Sequence, residues 1–319
     1  MRRREFCRTL GAAAAGASLA RASSRITRAN LCFITDEVSR NLRTALQFAS
    51  EYGIRQVELR SVYEQYCFRH DPERLTQIHA LLKEYGVRVA VLSTPILKCV
   101  LPGARLTASA QRESRAAQST FPVPDAEQFA RQMEFLRKAI EAARILETDK
   151  LRIFSYWQVE DFEQERGRIL EGLRRVTEVA EKEKIRLAIE NEPGCNLANC
   201  AQTMSVLDEI RSPWLGMAWD VVNGRATGEM PYPDGFRRLD LKRVWHMHIK
   251  DQRTNPDTGR REICAVGDGD TPYHEILPAL AQGGYSEALS METHFSISGS
   301  REPASRRSME GLVRVIERL

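Results

Sequence analysis

Between Leu31 and the C terminus, short apolar segments alternate eight times with longer amphipathic segments. This alternation is typical of parallel strands that are joined by crossover helices. The predicted strands cover residues 31–35, 56–60, 87–93, 151–156, 185–190, 215–220, 244–249 and 287–292. The length of 319 residues accommodates one α/β barrel of about 250 residues. We therefore predict an α/β fold, a single (β/α)8 TIM barrel that spans residues 23–319.

The segments between these strands predict helices. Asp71 and Pro72 are a typical helix start, an N-cap residue followed by proline. Residues 98–123 are polar or small without an apolar period, and we predict a lid over the mouth of the barrel there, a disordered loop being the alternative. The predicted helices cover residues 41–52, 72–85, 125–146, 161–182, 200–210, 272–281 and 305–319.

The first 22 residues differ in character from the rest of the chain. The segment from Arg3 to Arg8 has the twin-arginine pattern, and a weakly apolar stretch from Thr9 to Ala20 leads to a small-x-small site at Ala22. This stretch is shorter than the ~20 residues that a membrane span requires. We predict that residues 1–22 are a twin-arginine export signal and that the mature protein is periplasmic or otherwise exported. A disordered basic tail is the alternative.

Removal of the predicted signal changes the charge balance of the chain. It takes away five arginines and one glutamate, so that 47 basic and 43 acidic residues become 42 of each. A protein with no net charge has no long-range attraction for nucleic acids or anionic membranes. Six cysteines remain without CxxC spacing, so disulfides are permitted in an oxidising compartment but not indicated. We expect a small-molecule partner and no nucleic acid; an oligomer is compatible with the sequence.

Several predicted strands end in side chains that can bind a metal ion. Glu190, Asp220 and Glu292 are the last residues of their predicted strands. His246 and His248 are two positions apart in another, which places both imidazoles on one face of a strand. Because the carboxyl ends of the strands meet at the active-site end of a TIM barrel, we expect these side chains to converge. Histidines that are satisfied within the core are the alternative.

Three carboxylates and one imidazole suit Mn²⁺, Mg²⁺ or Co²⁺, and suit Zn²⁺ less well. Buried carboxylates need a compensating charge, and the neighbouring predicted strands show no matching set of basic residues. We therefore expect one divalent metal ion, Mn²⁺ being preferred, bound by the three acids and one histidine. Ordinary salt-bridged acids are the alternative.

Five motifs carry a resemblance to a known family. They are the segment from Ala188 to Gly194, Asp220, the His-Ile-Lys-Asp run from His248 to Asp251, Val266 to Gly269, and Ser290 to Glu292. With these motifs, the chain resembles the sugar phosphate isomerase/epimerase branch of the xylose isomerase-like TIM barrels. The resemblance covers nearly the whole chain after the predicted signal.

The resemblance implies a metal site and a reaction. The implied ligands are Glu190, Asp220, His248 and Glu292, with His248 chosen over His246 because it directly precedes the Ile-Lys-Asp sequence. The two glutamates would also be the proton-transfer pair. A cation that binds adjacent carbonyl and hydroxyl oxygens of a sugar acidifies the carbon-bound proton between them. The implied function is a metal-dependent isomerase or epimerase of a sugar or sugar derivative.

The sequence departs from the family's ketose 3-epimerases at three positions. Those enzymes have Glu, His and Arg where this chain has Asn196, Asn223 and Thr254. This difference argues against 3-epimerisation of a free ketose. We predict substrate contacts from six other polar side chains, Glu58, Glu192, Asn223, His246, Lys250 and Arg253. A structural ion pair between Glu58 and Lys250 is the alternative for those two.

Three other functions are compatible with parts of this pattern. A sugar or cyclitol dehydratase would share the enolisation and differ in the group that leaves. A nuclease like endonuclease IV would need a three-zinc cluster with five histidines, and strand 87–93 provides none. A carbohydrate-binding protein without turnover would need only one of the two glutamates.

Overall fold

The computed structural model describes residues 26–319, and all eight predicted strands are present. The predicted export signal, residues 1–22, lies outside the described residues and stays a prediction. The strands are β1 (Leu31–Phe33), β2 (Gln56–Leu59), β3 (Arg88–Ser93), β4 (Lys150–Ile153), β5 (Arg186–Glu190), β6 (Leu215–Asp220), β7 (Val244–Ile249) and β8 (Leu289–Met291).

The eight strands form one parallel sheet that closes on itself. Its order is β1-β8-β7-β6-β5-β4-β3-β2, so strands that follow each other in sequence are neighbours in space. A parallel bridge between Ile34 and Glu58 joins the two ends of the sheet. The predicted single (β/α)8 TIM barrel is therefore confirmed, and all strand carboxyl ends lie at one end of the barrel.

Helices surround this barrel. Asp71 caps the second helix as predicted, because its carboxylate accepts a hydrogen bond from the backbone N–H of Arg74 at 2.7 Å. In the described part of the chain, no helix is both long and apolar enough to cross a membrane. The main helices are α1 (Leu42–Glu51), α2 (Pro72–Glu84), α3 (Ala108–Ala117), α4 (Asp125–Ala130), α5 (Gln132–Ile145), α6 (Phe162–Glu183), α7 (Cys200–Ile210), α8 (Tyr273–Gln282) and α9 (Arg301–Glu317).

The structure differs from the sequence prediction in three places. The predicted lid segment contains α3, whose buried face consists of the small residues Ala110 and Ser114 and therefore gives no apolar period. The predicted helix over residues 125–146 divides into α4 and α5 at Arg131, whose backbone leaves the helical region. Two short antiparallel hairpins, over residues 61–66 and 251–264, extend from the ends of β2 and β7.

The two glycines Gly311 and Gly167 give a matched test of packing around the barrel. A Cβ atom added to Gly311 in α9 would lie 1.7 Å from the carbonyl oxygen of Val266, a backbone atom that cannot turn aside. We expect Gly311→Ala to lower the free energy of unfolding by about 1–3 kcal/mol. Apart from the local backbone of α6, no atom of residues 26–319 lies within 4 Å of a Cβ on Gly167. Gly167→Ala should therefore leave the free energy of unfolding unchanged or raise it by about 0.5–1 kcal/mol. Urea titration of both variants measures the free energy of unfolding. An equal loss of this free energy in the two variants would contradict the prediction.

Candidate active site

The carboxyl ends of β5, β6, β7 and β8 bring together the four side chains that the sequence analysis expected to converge. Asp220 and His248 are direct partners in the register of β6 and β7. The backbone N–H of Glu292 donates to the carbonyl of Ile249 at 2.9 Å, which fixes the end of β8 beside β7. One ligand atom from each of Glu190, Asp220, His248 and Glu292 lies within 4.8 Å of the others, and all four residues are buried. We call these four residues the cage.

The Nδ1 atom of His248 is the donor atom that faces the three carboxylates of the cage. It is 3.1 Å from Oε1 of Glu190, 3.6 Å from Oε2 of Glu292 and 3.8 Å from Oδ2 of Asp220. Three carboxylate oxygens therefore face one imidazole nitrogen.

The two oxygens of Asp220 have different surroundings. Oδ1 accepts hydrogen bonds from the backbone N–H groups of Val222 and Asn223, both at 2.9 Å. Oδ2 is buried and accepts no hydrogen bond from the described residues. Because Oδ1 is fixed by the backbone, Oδ2 is held toward the cage, where the ammonium of Lys250 lies 2.8 Å away without hydrogen-bond geometry.

Glu58 lies behind His248, on the side away from the three cage acids. Its fully buried carboxylate contacts Nε2 of His248 at 3.1 Å and Nε2 of His246 at 2.7 Å. The hydroxyl groups of Ser290 and Ser93 also donate to it. The prediction that both histidines share one face of β7 is confirmed, since both imidazoles reach the same carboxylate. Glu58 orients the ring of His248 so that Nδ1 faces the cage.

The expectation that the acids lack basic partners was wrong. Nε of Arg152, on β4, lies 3.2 Å from Oε2 of Glu190. The ammonium of Lys250 lies 2.8 Å from Asp220 and 3.0 Å from Glu292, so it does not pair with Glu58. Arg152 could not be singled out from the sequence, because a lone arginine within an apolar strand gives no sign of the direction in which its side chain points.

Arg60 and His294 complete the surroundings of Glu292, and neither was singled out from the sequence. Nη1 of Arg60 lies 3.2 Å and Nε2 of His294 lies 2.9 Å from Oε1 of Glu292. Each follows an acid of the site by two positions, Arg60 after Glu58 and His294 after Glu292. For Arg60, at the end of a predicted strand, that spacing indicates the same face as Glu58, but not which way that face points. His294 lies beyond the end of β8 with a positive φ of 53°, so no strand period could have indicated it.

These contacts set the ionisation of the site. Burial by itself raises the pKa of Glu190, but His248 and Arg152 lower it to about 2. Burial lowers the pKa of His248, but Glu58 and Glu190 outweigh it and hold that pKa well above the ordinary value. The pKa of Asp220 is raised, mainly by burial, although Lys250 opposes the shift. These surroundings therefore favour the imidazolium form of His248 and the ammonium form of Lys250 among the carboxylates.

Comparison with known sequence families identifies the family of this chain. The sequence profile described as "Xylose isomerase-like TIM barrel" matches residues 46–315. The chain belongs to this family. Comparison with curated proteins found no match.

Solved structures share the fold of this xylose isomerase-like barrel. The IolI protein with a bound zinc atom is 16% identical with a TM-score of 0.67, over 91% of this chain and 98% of that one. A probable 3-DHS dehydratase of petrobactin synthesis, AsbF from Bacillus anthracis, is 18% identical with a TM-score of 0.68, over 89% and 98%. A D-tagatose 3-epimerase-like protein is 18% identical with a TM-score of 0.63, over 90% and 97%. At these identities the likeness extends to the fold.

Of the other residues predicted to bind substrate, Glu192 and Arg253 have partners outside the cage, and the side chain of Asn223, whose backbone N–H holds Asp220, has one too. Oε1 of Glu192 lies 3.4 Å from the ammonium of Lys98, near the mouth. The side-chain amide of Asn223 donates to the carbonyl of Asn191 at 2.9 Å and braces the loop after β6. Arg253 is half exposed on the hairpin after β7 and pairs with Glu262 at 2.7 Å.

The cage of this xylose isomerase-like barrel fits a divalent cation. Its donors are three carboxylates and an imidazole nitrogen, a set that suits a hard divalent ion, and Oδ2 of Asp220 is a buried oxygen contacted by the ammonium of Lys250. His248 binds a cation only with Nδ1 unprotonated, so cation binding would release any proton held there. Glu58 would hold the other nitrogen of that ring, the arrangement found for histidine ligands of metals in general.

Proposed function

We propose that the protein is a divalent-metal-dependent enzyme that enolises a sugar or sugar derivative and acts as an isomerase or epimerase. Glu190, Asp220, His248 and Glu292 are the proposed ligands, and Mn²⁺ is the preferred ion. The observation that carries the proposal is the position of the two glutamates. They reach the cage from β5 and β8, on either side of Asp220 and His248, so two carboxylates flank one cation site.

When bound, the divalent ion would polarise adjacent carbonyl and hydroxyl oxygens of the sugar and stabilise the charge of the enediolate. Glu190 or Glu292 removes the carbon-bound proton as general base. The glutamate on the opposite side returns a proton to the other face, which inverts the carbon, or to the neighbouring carbon, which isomerises the sugar. Arg152 holds Oε2 of Glu190, while Arg60 and His294 hold Oε1 of Glu292, so both bases are fixed in orientation.

Exchange of hydrogen with solvent tests the proposal without knowledge of the product. The mature protein is incubated with Mn²⁺ in D₂O and a panel of keto-sugars, oxidised glycosides, cyclitol ketones and their phosphates. Proton NMR should show loss of one carbon-bound signal in at least one panel member. Turnover without any exchange would favour a hydride shift between adjacent carbons and would contradict proton transfer by the two glutamates.

A dehydratase is the second candidate, because loss of a hydroxyl group can follow the same enolisation. The presence of two carboxyl groups at the cage supports it equally, since the second could protonate the departing hydroxyl. Product analysis separates the two reactions. A dehydratase releases water and forms a conjugated carbonyl that absorbs in the ultraviolet, whereas an isomerase or epimerase keeps the composition of its substrate.

We predict that Glu58 acts through His248 and not by contact with the substrate. Glu58→Gln keeps the size of the side chain but weakens its hold on both imidazoles. The affinity for Mn²⁺ should fall by about 10- to 100-fold, the usual effect of losing a partner behind a metal ligand. Calorimetric titration with Mn²⁺ measures this loss. Unchanged Mn²⁺ affinity with a raised KM would instead assign Glu58 to substrate binding.

We also propose that the protein is exported by the twin-arginine route, on the sequence of residues 1–22. Replacing Arg3 and Arg4 by lysine should leave the protein in the cytoplasm, because the export machinery reads the arginine pair. Fractionation followed by N-terminal sequencing is the measurement. Recovery of Met1 from the periplasmic fraction would contradict processing near Ala22.

A further inference from the structure

Lys250 occupies an unusual position for a lysine. It follows β7 directly, and its ammonium lies 2.8 Å from Oδ2 of Asp220 and 3.0 Å from Oε2 of Glu292. Only 4% of its side chain is exposed. The backbone around it is fixed, because the hydroxyl of Tyr273 donates to its carbonyl oxygen. The ammonium is thus a buried cation in contact with two cage acids.

The basic side chains around the cage differ in which oxygens they contact. Arg152 contacts Oε2 of Glu190, whereas Oε1 is the atom that faces Nδ1 of His248. Arg60 and His294 contact Oε1 of Glu292, whereas Oε2 faces the cage. These three side chains leave the inward oxygens available. Lys250 contacts the inward oxygens themselves, Oδ2 of Asp220 and Oε2 of Glu292.

A divalent ion in the cage would need the two oxygens on which the ammonium rests, and two cations at one pair of buried oxygens repel each other strongly. The contact with Asp220 lacks hydrogen-bond geometry, and a lysine ammonium sits on a flexible four-carbon stem that can withdraw. We propose that Lys250 is an internal counter-cation, which neutralises the cage without metal and competes with the divalent ion for Asp220 and Glu292. The inference rests on the proposed metal-dependent function.

Lys250→Met tests the competition, because methionine fills a similar volume without a charge. We expect the variant to bind Mn²⁺ at least about tenfold more tightly than the wild-type protein, since the ion no longer displaces an ammonium. The metal-free variant should melt at a lower temperature than the metal-free wild type, because its buried acids lose a cation. Calorimetric titration and thermal melts with and without Mn²⁺ give both values.

Lys98→Met is the matched control. Lys98 is also a mostly buried lysine beside a carboxylate, but its ammonium contacts Glu192 outside the cage. Its removal should change Mn²⁺ affinity less than the removal of Lys250 does, because the ammonium of Lys98 rests on none of the cage oxygens. Lys250→Gln, which is neutral but polar, replaces the methionine variant if that one does not fold.

The outcomes separate this inference from the proposed function. If the wild type binds Mn²⁺ and both Lys250 variants bind it with equal or lower affinity, the competition is overturned and the metal site stands. Absence of binding by the wild type and by every variant would overturn the metal site and, with it, the competition.

Discussion

Replacement of Glu190 or Glu292 by glutamine is expected to slow exchange of the substrate's carbon-bound hydrogen with solvent by about 10²- to 10⁴-fold, the usual contribution of a general base. Glutamine keeps the shape and one oxygen ligand but has no basic carboxylate. Each variant should still bind Mn²⁺, because three charged or imidazole ligands and an amide oxygen remain. For an epimerase, each variant should lose exchange from one face of the carbon. Proton NMR in D₂O with both epimers as substrates measures the two faces separately.

Glu287→Gln is the matched control for these variants. Glu287 precedes β8 at the opposite end of the barrel from Glu292 and pairs with Lys150. Its replacement should leave the exchange rate unchanged within about twofold, because contributions of distant sites are independent. Undiminished exchange in both Glu190→Gln and Glu292→Gln would show that other groups handle the proton.

Removal of either His248 or Asp220 is expected to abolish stable metal binding. His248→Ala takes away the only nitrogen donor of the cage, and Asp220→Ala takes away the oxygen that the backbone holds toward the cage. We expect Mn²⁺ affinity to fall by more than about 100-fold. This is a larger loss than the one expected when a residue that only holds a metal ligand in place, such as Glu58, is replaced. Elemental analysis of the purified protein and titration with Mn²⁺ test this result. Bound metal should be about one ion per wild-type chain.

The variants should remain folded, because the cage lies at the strand ends and the apolar core surrounds the barrel below it. A circular dichroism spectrum checks this point. His274→Ala is the control for His248→Ala, since the side chain of His274 is 82% exposed at the start of α8. It should retain full metal content. Wild-type protein without metal, and without uptake of added Mn²⁺, would reject the cage as a metal centre.

The amino-acid sequence by itself determined the architecture and the position of the cage. Alternating short apolar and long amphipathic segments require parallel strands with crossover helices, and this pattern is local, so it can be read along the chain. Glu190, Asp220, His248 and Glu292 could be assigned to one site for the same reason. Each lies at or near the end of its strand, and the carboxyl ends of parallel strands in a barrel meet.

The tertiary structure decided which charges surround that site. Arg152 reaches Glu190 because β4 lies beside β5 in a register that pairs Arg152 with Ala188, two residues before Glu190. Arg60 reaches Glu292 because the barrel closes between β1 and β2. The same closure places Glu58 behind His248, where it orients the imidazole. Such contacts depend on the inward or outward direction of a side chain and on its height in the barrel. Neither quantity follows from local periodicity, because a polar residue in a buried strand can point to either face.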